Sequence, residues 1–266
     1  MLALFIGNAT WVLALVTALW LVSVRLKDAS IVDPFWSILS LVVLVRTALV
    51  TGLTPGKVAL LGLVTAWALR LFAHLLVRSL GHAEDPRYAA FRQRFGPERY
   101  WWVSFFQVFV LQGALALVVS APLFVAGAAA APDVLAWNDV VGGAIALVGF
   151  VIEAVADATL RRFRRDPANK GRVLDHGLFA RSRHPNYFGE CLFAWGTWLM
   201  AIDVGALGLA SALGPALMTF LLLRVSGVTM LDAHLAKTRP GYAAYMARTP
   251  AFFPRLGRAR AREGDS

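Results

Sequence analysis

Cysteine and charge are both scarce in this sequence. Its single cysteine, Cys191, lies within an apolar run, so the chain has neither a disulfide framework nor a cysteine-based metal site. Charged residues make up only 16% of the 266 residues, against 58% hydrophobic residues. Several runs of about 20 apolar residues are long enough to cross a bilayer. These proportions argue against a soluble protein and indicate a polytopic membrane protein.

Common nucleotide-binding and catalytic motifs are also missing. No G-x-G-x-x-G follows a strand-like run, and there is no Walker loop, no H-E-x-x-H and no nucleophile elbow. Rossmann-type dinucleotide binding, ATPase, zinc protease and hydrolase chemistry therefore lack their signatures, and no metal is expected. The apolar N-terminal stretch has neither a basic n-region nor a small-residue cleavage site, which predicts a retained first span.

The apolar runs predict an all-α, polytopic membrane helical bundle of about seven transmembrane helices, organised as a single integral membrane domain over residues 1–266. The sixth predicted span is short. The seven spans are Ala3 to Val24, Phe35 to Leu53, Val58 to Val77, Val103 to Ala126, Trp137 to Leu160, Tyr187 to Ala201 and Gly205 to Val225. Beyond them, Thr229 to Arg248 is predicted as an amphipathic helix broken at Pro240.

Basic residues predict the orientation of the bundle. Eight of them lie between Arg161 and Arg183, and others cluster on the same side, whereas the opposite connections hold only Lys57. The positive-inside rule places the N-terminus outside and the C-terminus in the cytoplasm, in a multi-pass protein expected in a bacterial inner membrane. A membrane surface and an anionic cofactor explain the net charge of +10 better than nucleic acid does.

Polar residues near the apolar runs are candidates for function, because a polar group at membrane depth must face a partner or a cavity. Asp33 precedes Pro34, so it is suited to cap the second helix; alternatively, its carboxyl group lies near a substrate carbonyl. In the third span, Arg70, His74 and Arg78 share one helical face. They form an interhelical salt-bridge network or, alternatively, His74 donates a proton or hydrogen bond while the arginines meet phosphates.

The spacing of four recurs at Glu153, Asp157 and Arg161, at the end of the fifth predicted span. Local i,i+4 ion pairs explain the last two residues, at about 0.5 kcal/mol each on an exposed helix. They explain Glu153 less well, because it lies deeper in the span. A carboxylate at this depth is alternatively an acceptor for a ribose or a carboxamide.

The polar segment 181–190 is the main candidate site. Pro185 suits the first turn of the sixth helix, so that Asn186 and Glu190 lie one turn apart on one face, while Gly189 allows close approach of a ligand or another backbone. The helix N-terminus offers free amides and a partial positive charge to a phosphate held by neighbouring arginines. A helix cap with basic anchors is the alternative, but it does not require an Asn, a Tyr and a membrane-embedded Glu together.

The run R-H-P-N-Y-F-G-E at residues 183–190 closely resembles the signature of the steroid 5-alpha-reductase C-terminal family, including its bacterial DUF1295 members. Four further segments are similar to bacterial family elements in the same order, so the resemblance covers most of the chain. These segments are residues 30–37, 153–157, 169–178 and 239–245.

The resemblance implies a membrane reductase that binds NADPH from the cytoplasmic side and reduces a carbon-carbon double bond conjugated to a ketone in a lipid or steroid-like substrate. Asp157, Asn186 and Glu190 look like nicotinamide-side and ribose-side contacts. The full set of implied cofactor contacts is Asp157, Arg161, Arg164, Asn169, Arg183, His184, Asn186, Tyr187, Glu190 and Tyr242.

The substrate half departs from the family pattern. Steroid-reducing relatives share a Gln-Glu pair in the second helix and a His-Tyr pair before an arginine in the third. Here the counterparts are Asp33 and His74, and the tyrosine is missing. We predict that Asp33 or His74 is the catalytic residue that polarises the carbonyl during hydride transfer. The alternative function is an S-adenosylmethionine-dependent membrane methyltransferase of the isoprenylcysteine carboxyl methyltransferase type, which has a similar R-H-P-x-Y-x-G element.

Overall fold

A computed structural model describes residues 1–129, 134–225 and 227–255, and every regular element within these ranges is a helix. The all-α prediction is confirmed. The α-helices are α1 Leu2–Leu26, α2 Trp36–Thr51, α3 Pro55–Ser79, α4 Pro86–Phe95, α5 Pro97–Ser104, α6 Leu111–Val119, α7 Ala121–Ala128, α8 Trp137–Arg165, α9 Pro185–Leu199, α10 Ala206–Ala210, α11 Leu213–Phe220, α12 Val228–Thr238 and α13 Tyr242–Arg248. Tight 3-10 turns occupy Ala29–Phe35, Pro167–Asn169, Gly177–Ala180 and Ile202–Val204, and wider π-helical turns occupy Phe105–Val110 and Leu221–Val225.

Six helical stretches of the described chain are long and apolar enough to cross a membrane. They are Leu2–Leu26, Ala29–Thr51, Pro55–Ser79, Pro97–Val119, Trp137–Arg165 and Ala206–Thr238, the last of which contains the undescribed residue 226. The predicted sixth span corresponds to α9, which has 15 residues. At about 1.5 Å per residue it falls well short of a 30 Å hydrocarbon core. Within the described residues, the six long stretches and the short α9 correspond to the seven predicted helices.

Proline and glycine set several helix boundaries as their chemistry requires. Proline occupies the first position of α3, α4 and α5, where its missing N–H has no intrahelical partner to lose. It does the same in α9, as predicted for Pro185. The predicted break at Pro240 is also confirmed, because α12 ends at Thr238 and α13 begins at Tyr242. Gly241 makes this turn with φ 79°, a conformation that favours glycine.

The described residues pack as two compact units. The first comprises residues 1–143 and 197–214, and the second comprises 144–196 and residues from 215 onward. The core of the first unit is formed by apolar side chains from α1, α2 and the helices after them; its buried members include Val12, Val16, Leu39, Val43, Tyr88, Tyr100 and Phe109. Polar contacts also join its membrane helices, as between Asn8 and Thr47 at 2.8 Å. The prediction of a single domain over the whole sequence stays a prediction.

Candidate functional site

Helices α8 and α9 cross in the second unit with their backbones in contact. A Cβ atom at Gly149 would lie 2.5 Å from the backbone nitrogen of Phe193, and one at Gly189 would lie 2.6 Å from the backbone nitrogen of Glu153. Neither distance leaves room for a methyl group. Paired glycines of this kind let membrane helices approach closely. Of the two possibilities for Gly189, the structure shows the approach of another backbone.

The predicted acidic and amide side chains lie along this crossing. Glu153 is 1% exposed and Asp157 is buried on α8, and Asn186 of α9 donates from Nδ2 to Asp157 Oδ1 at 3.1 Å. Glu190 is half-buried one turn further along α9. A carboxylate and an amide in one hydrogen-bonded pair offer both an acceptor and a donor. The structure therefore brings together Asp157 and Asn186, which the sequence spacing placed on separate helices.

Three other predicted cofactor residues meet at Asp232 of α12. Arg183 Nη2 donates to Asp232 Oδ2 at 2.7 Å, and Arg183 Nε reaches Oδ1 at 3.4 Å. His184 Nε2 lies 2.9 Å from Oδ1, and the Tyr242 hydroxyl donates to the same oxygen. Asp232 and His184 are both buried. Burial and the hydrogen bond to this carboxylate raise the pKa of Tyr242, so its hydroxyl stays a donor at neutral pH.

Arg183 also contacts the backbone of the C-terminal segment. Its Nη1 donates to the carbonyl oxygens of Met246 at 3.2 Å and Thr249 at 2.6 Å. Together with the two bonds to Asp232, these contacts use four of the five guanidinium N–H groups. The geometry thus leaves Arg183 one N–H for a phosphate.

The remaining predicted cofactor residues surround the end of α8 and the start of α9. Arg161 and Arg164 are exposed in the last turns of α8. Asn169 donates from Nδ2 to the carbonyl of Phe163 at 3.2 Å, and so satisfies one of the terminal carbonyls of α8. Tyr187 stacks on the His184 ring, with centroids 5.5 Å apart and planes within 4°. The roles of all these residues toward a cofactor stay predictions.

Asp33, in the first unit, is the centre of a second polar cluster. Its Oδ1 accepts from the Tyr88 hydroxyl at 2.7 Å and from Gln112 Nε2 at 3.3 Å, and its Oδ2 accepts from Arg87 Nη2 at 2.9 Å. Gln112 Nε2 also lies 3.1 Å from the Tyr88 hydroxyl. The capping role proposed for Asp33 belongs instead to Asp28, which accepts from the backbone of Ser30 and starts the 3-10 turn before α2.

The segment before and within α4 holds this second cluster in place. Arg87 bridges two carboxylates, since it also contacts Asp85 at 2.9 Å. Burial alone would raise the pKa of Asp85, but hydrogen bonds from the Arg87 side chain and backbone keep it below its ordinary value. Burial and the negative charge of Asp33 raise the pKa of Tyr88, which keeps this hydroxyl protonated at neutral pH.

The basic face predicted on α3 is less buried than the Asp33 cluster. Arg70 and His74 are half-buried and Arg78 is exposed. Each of the first two makes an interaction within the protein. His74 stays a candidate for polarising a substrate carbonyl.

Sequence reasoning missed four residues of the two clusters, namely Arg87, Tyr88, Gln112 and Asp232. One signal pointed to Asp232, because it is the single acidic residue between residues 204 and 262 in a strongly basic stretch. An isolated acid among many bases favours a specific ion pair. No comparable signal marks Tyr88 or Gln112, whose partner Asp33 lies 55 and 79 positions away in the sequence.

The architecture and these buried polar clusters define a multi-pass helical membrane protein. The chain belongs to the family described as Protein of unknown function (DUF1295), which matches residues 19–249. It is similar to an uncharacterized protein of the fission yeast Schizosaccharomyces pombe, with 27% identity over an alignment that covers 90% of this chain and 76% of the relative. No solved structure matches the chain.

Proposed function

We propose that this protein is an NADPH-dependent membrane reductase of the steroid 5-alpha-reductase type, acting on the conjugated double bond of an enone lipid. The observation that supports it best is the hydrogen-bonded pair of Asn186 and Asp157 at the glycine-packed crossing of α8 and α9. Buried polar side chains are uncommon in membrane helices and often mark a functional site. Here they combine with a helix N-terminus and exposed arginines, the features that a dinucleotide needs.

The chemistry of the donor set fits NADPH. A nicotinamide carboxamide needs one acceptor and one donor, which Asp157 and Asn186 offer, and Glu190 follows on the same face of α9. Arg161 and Arg164 are exposed and suit phosphate groups, including the extra 2′-phosphate that distinguishes NADPH from NADH. By the positive-inside rule these arginines lie on the cytoplasmic side, where the cofactor is available.

In this proposal, the residues of the Asp33 cluster polarise the enone carbonyl and donate the proton. NADPH supplies a hydride to the β-carbon of the enone, and a proton completes the saturated ketone. A carbonyl oxygen only accepts hydrogen bonds. The Tyr88 hydroxyl and the Gln112 amide donate to Asp33 in the structure, and in this proposal they turn their hydrogens to the carbonyl oxygen when substrate binds. Asp33 orients both of them. Tyr88 therefore offers the hydroxyl that the third helix lacks, and His74 is the alternative donor.

A thermal-shift comparison tests the cofactor directly. NADPH at about 100 times its Kd should raise the melting temperature of the detergent-solubilised protein by about 5 °C. NADH should stabilise less, because it lacks the phosphate for Arg161 and Arg164, and Asn186→Ala should reduce the NADPH shift. A shift with S-adenosylmethionine and none with NADPH would instead support the methyltransferase function. Oxidation of NADPH in the presence of cyclic enone lipids then tests the reaction.

A further inference from the structure

Asp232 of α12 contacts residues from two other parts of the second unit. Its two carboxylate oxygens accept hydrogen bonds from Arg183 and Tyr242 and contact the His184 ring. These contacts link the connection before α9 and the start of α13 to α12. Its side chain is 9% exposed and that of Arg183 is 10% exposed. A charge pair this well covered responds strongly to the loss of one partner, because the other charge is then left buried and unpaired.

The same connection is paired with the C-terminal segment through its backbone. The Arg183 N–H donates to the carbonyl of Pro250 at 2.9 Å, and the Arg255 N–H donates to the carbonyl of Arg181 at 3.0 Å. Between them, the Ser182 hydroxyl donates to the carbonyl of Phe252 at 2.8 Å. These bonds hold the residues immediately before Pro185, and therefore the direction in which α9 begins.

Most side-chain donors of Arg183 and Tyr242 are already used in hydrogen bonds within the protein. Arg183 has committed four N–H groups, and the Tyr242 hydroxyl has committed its single hydrogen to Asp232. Asn186 and Asp157 lie on the next turn and on the facing helix, outside this network. Arg183, His184 and Tyr242 are thus placed to fix the start of α9, while Asn186 on its first turn presents a ligand-binding amide.

We propose that Asp232 is the positioning residue of the nucleotide-binding segment, an inference that rests on the proposed reductase function. It acts through Arg183, His184 and Tyr242, which hold the first turn of α9 in one orientation. The three residues then contribute to NADPH binding by fixing Asn186 and the helix N-terminus, with no contact of their own to the nicotinamide.

Hydrogen exchange tests the positioning without any cofactor. Asp232→Asn keeps the shape of the side chain but removes its charge. The backbone amides of segment 183–190, in which only Pro185 has none, should exchange about tenfold faster, while those of α2 and α3 keep their rates. The control is His234→Gln, an exposed position on the same helix, which should change nothing. Should Asp232→Asn not fold, Tyr242→Phe removes a single hydrogen bond to the same carboxylate and should give a smaller change in the same amides. Unchanged exchange at 183–190 in the folded variants overturns the positioning role.

The NADPH affinity of the same variants tests the link to function. We expect Asp232→Asn to raise the NADPH Kd about tenfold, with turnover at saturating NADPH within about twofold of wild type. If melting temperature falls but the Kd of the folded protein is unchanged, Asp232 is structural only and the inference is wrong. If wild type binds no NADPH at all, the reductase function fails, and the exchange of amides 183–190 still decides whether Asp232 orders this segment.

Discussion

Replacing Gly189 by alanine is expected to destabilise the protein strongly, although alanine is the better helix former by about 1 kcal/mol. The new Cβ would lie 2.6 Å from both the Glu153 backbone nitrogen and the Gly149 carbonyl oxygen. Backbone atoms cannot turn aside as a side chain can, so α8 and α9 must separate. Overpacking of this kind costs about 3 kcal/mol, and the net loss of about 2 kcal/mol should lower the melting temperature by roughly 4 °C.

The control for this substitution is Gly143→Ala on α8, where a Cβ would meet no atom within 4 Å. There the helix propensity acts alone, and the melting temperature should stay constant or rise slightly. Gly149→Ala should repeat the loss, and the double variant Gly149→Ala/Gly189→Ala should lose less than the sum, because both changes separate the same two helices. A melting temperature for Gly189→Ala equal to that of Gly143→Ala would show that the two backbones do not touch.

Local sequence patterns predict much of the fold. Apolar runs longer than about 18 residues identify membrane helices because only a helix satisfies its own backbone in lipid. Proline at a helix start and at the break between α12 and α13 acts through its own missing N–H, so its effect is also readable locally. The short α9 was recognisable for the same reason, since the polar segment 181–190 shortens its apolar run.

The partners of the polar residues could not be predicted in this way. Spacing of four residues shows that Glu153 and Asp157 share a face, but it cannot show that Asn186 lies opposite them. Arg183 illustrates this limit most clearly. Its place beside a helix N-terminus indicates a phosphate ligand, and the local sequence does not show whether a buried acid lies near it. Asp232, 49 positions further along the chain, is the partner that the structure reveals.

The substitution Tyr88→Phe is expected to lower the turnover of enone reduction by about 100-fold, the smallest effect usual for loss of a general acid. Tyr88→Phe removes the hydroxyl that contacts Asp33 at 2.7 Å but keeps the buried ring. NADPH affinity should stay at its wild-type value, since the residues proposed to bind the cofactor lie elsewhere in the chain. The measurement is steady-state NADPH oxidation with a saturating enone, combined with cofactor titration.

Tyr100→Phe is the matched control for Tyr88→Phe. Tyr100 belongs to the same apolar core and is 1% exposed, but its hydroxyl has no hydrogen-bond partner within the described residues. Removing an unsatisfied buried hydroxyl is neutral or stabilising, so turnover should be unchanged. If both variants keep full turnover, Tyr88 does not donate the proton, and His74→Phe should then show the loss instead. If Tyr88→Phe weakens NADPH binding while preserving turnover at saturation, the Asp33 cluster belongs to the cofactor side and not to the substrate side.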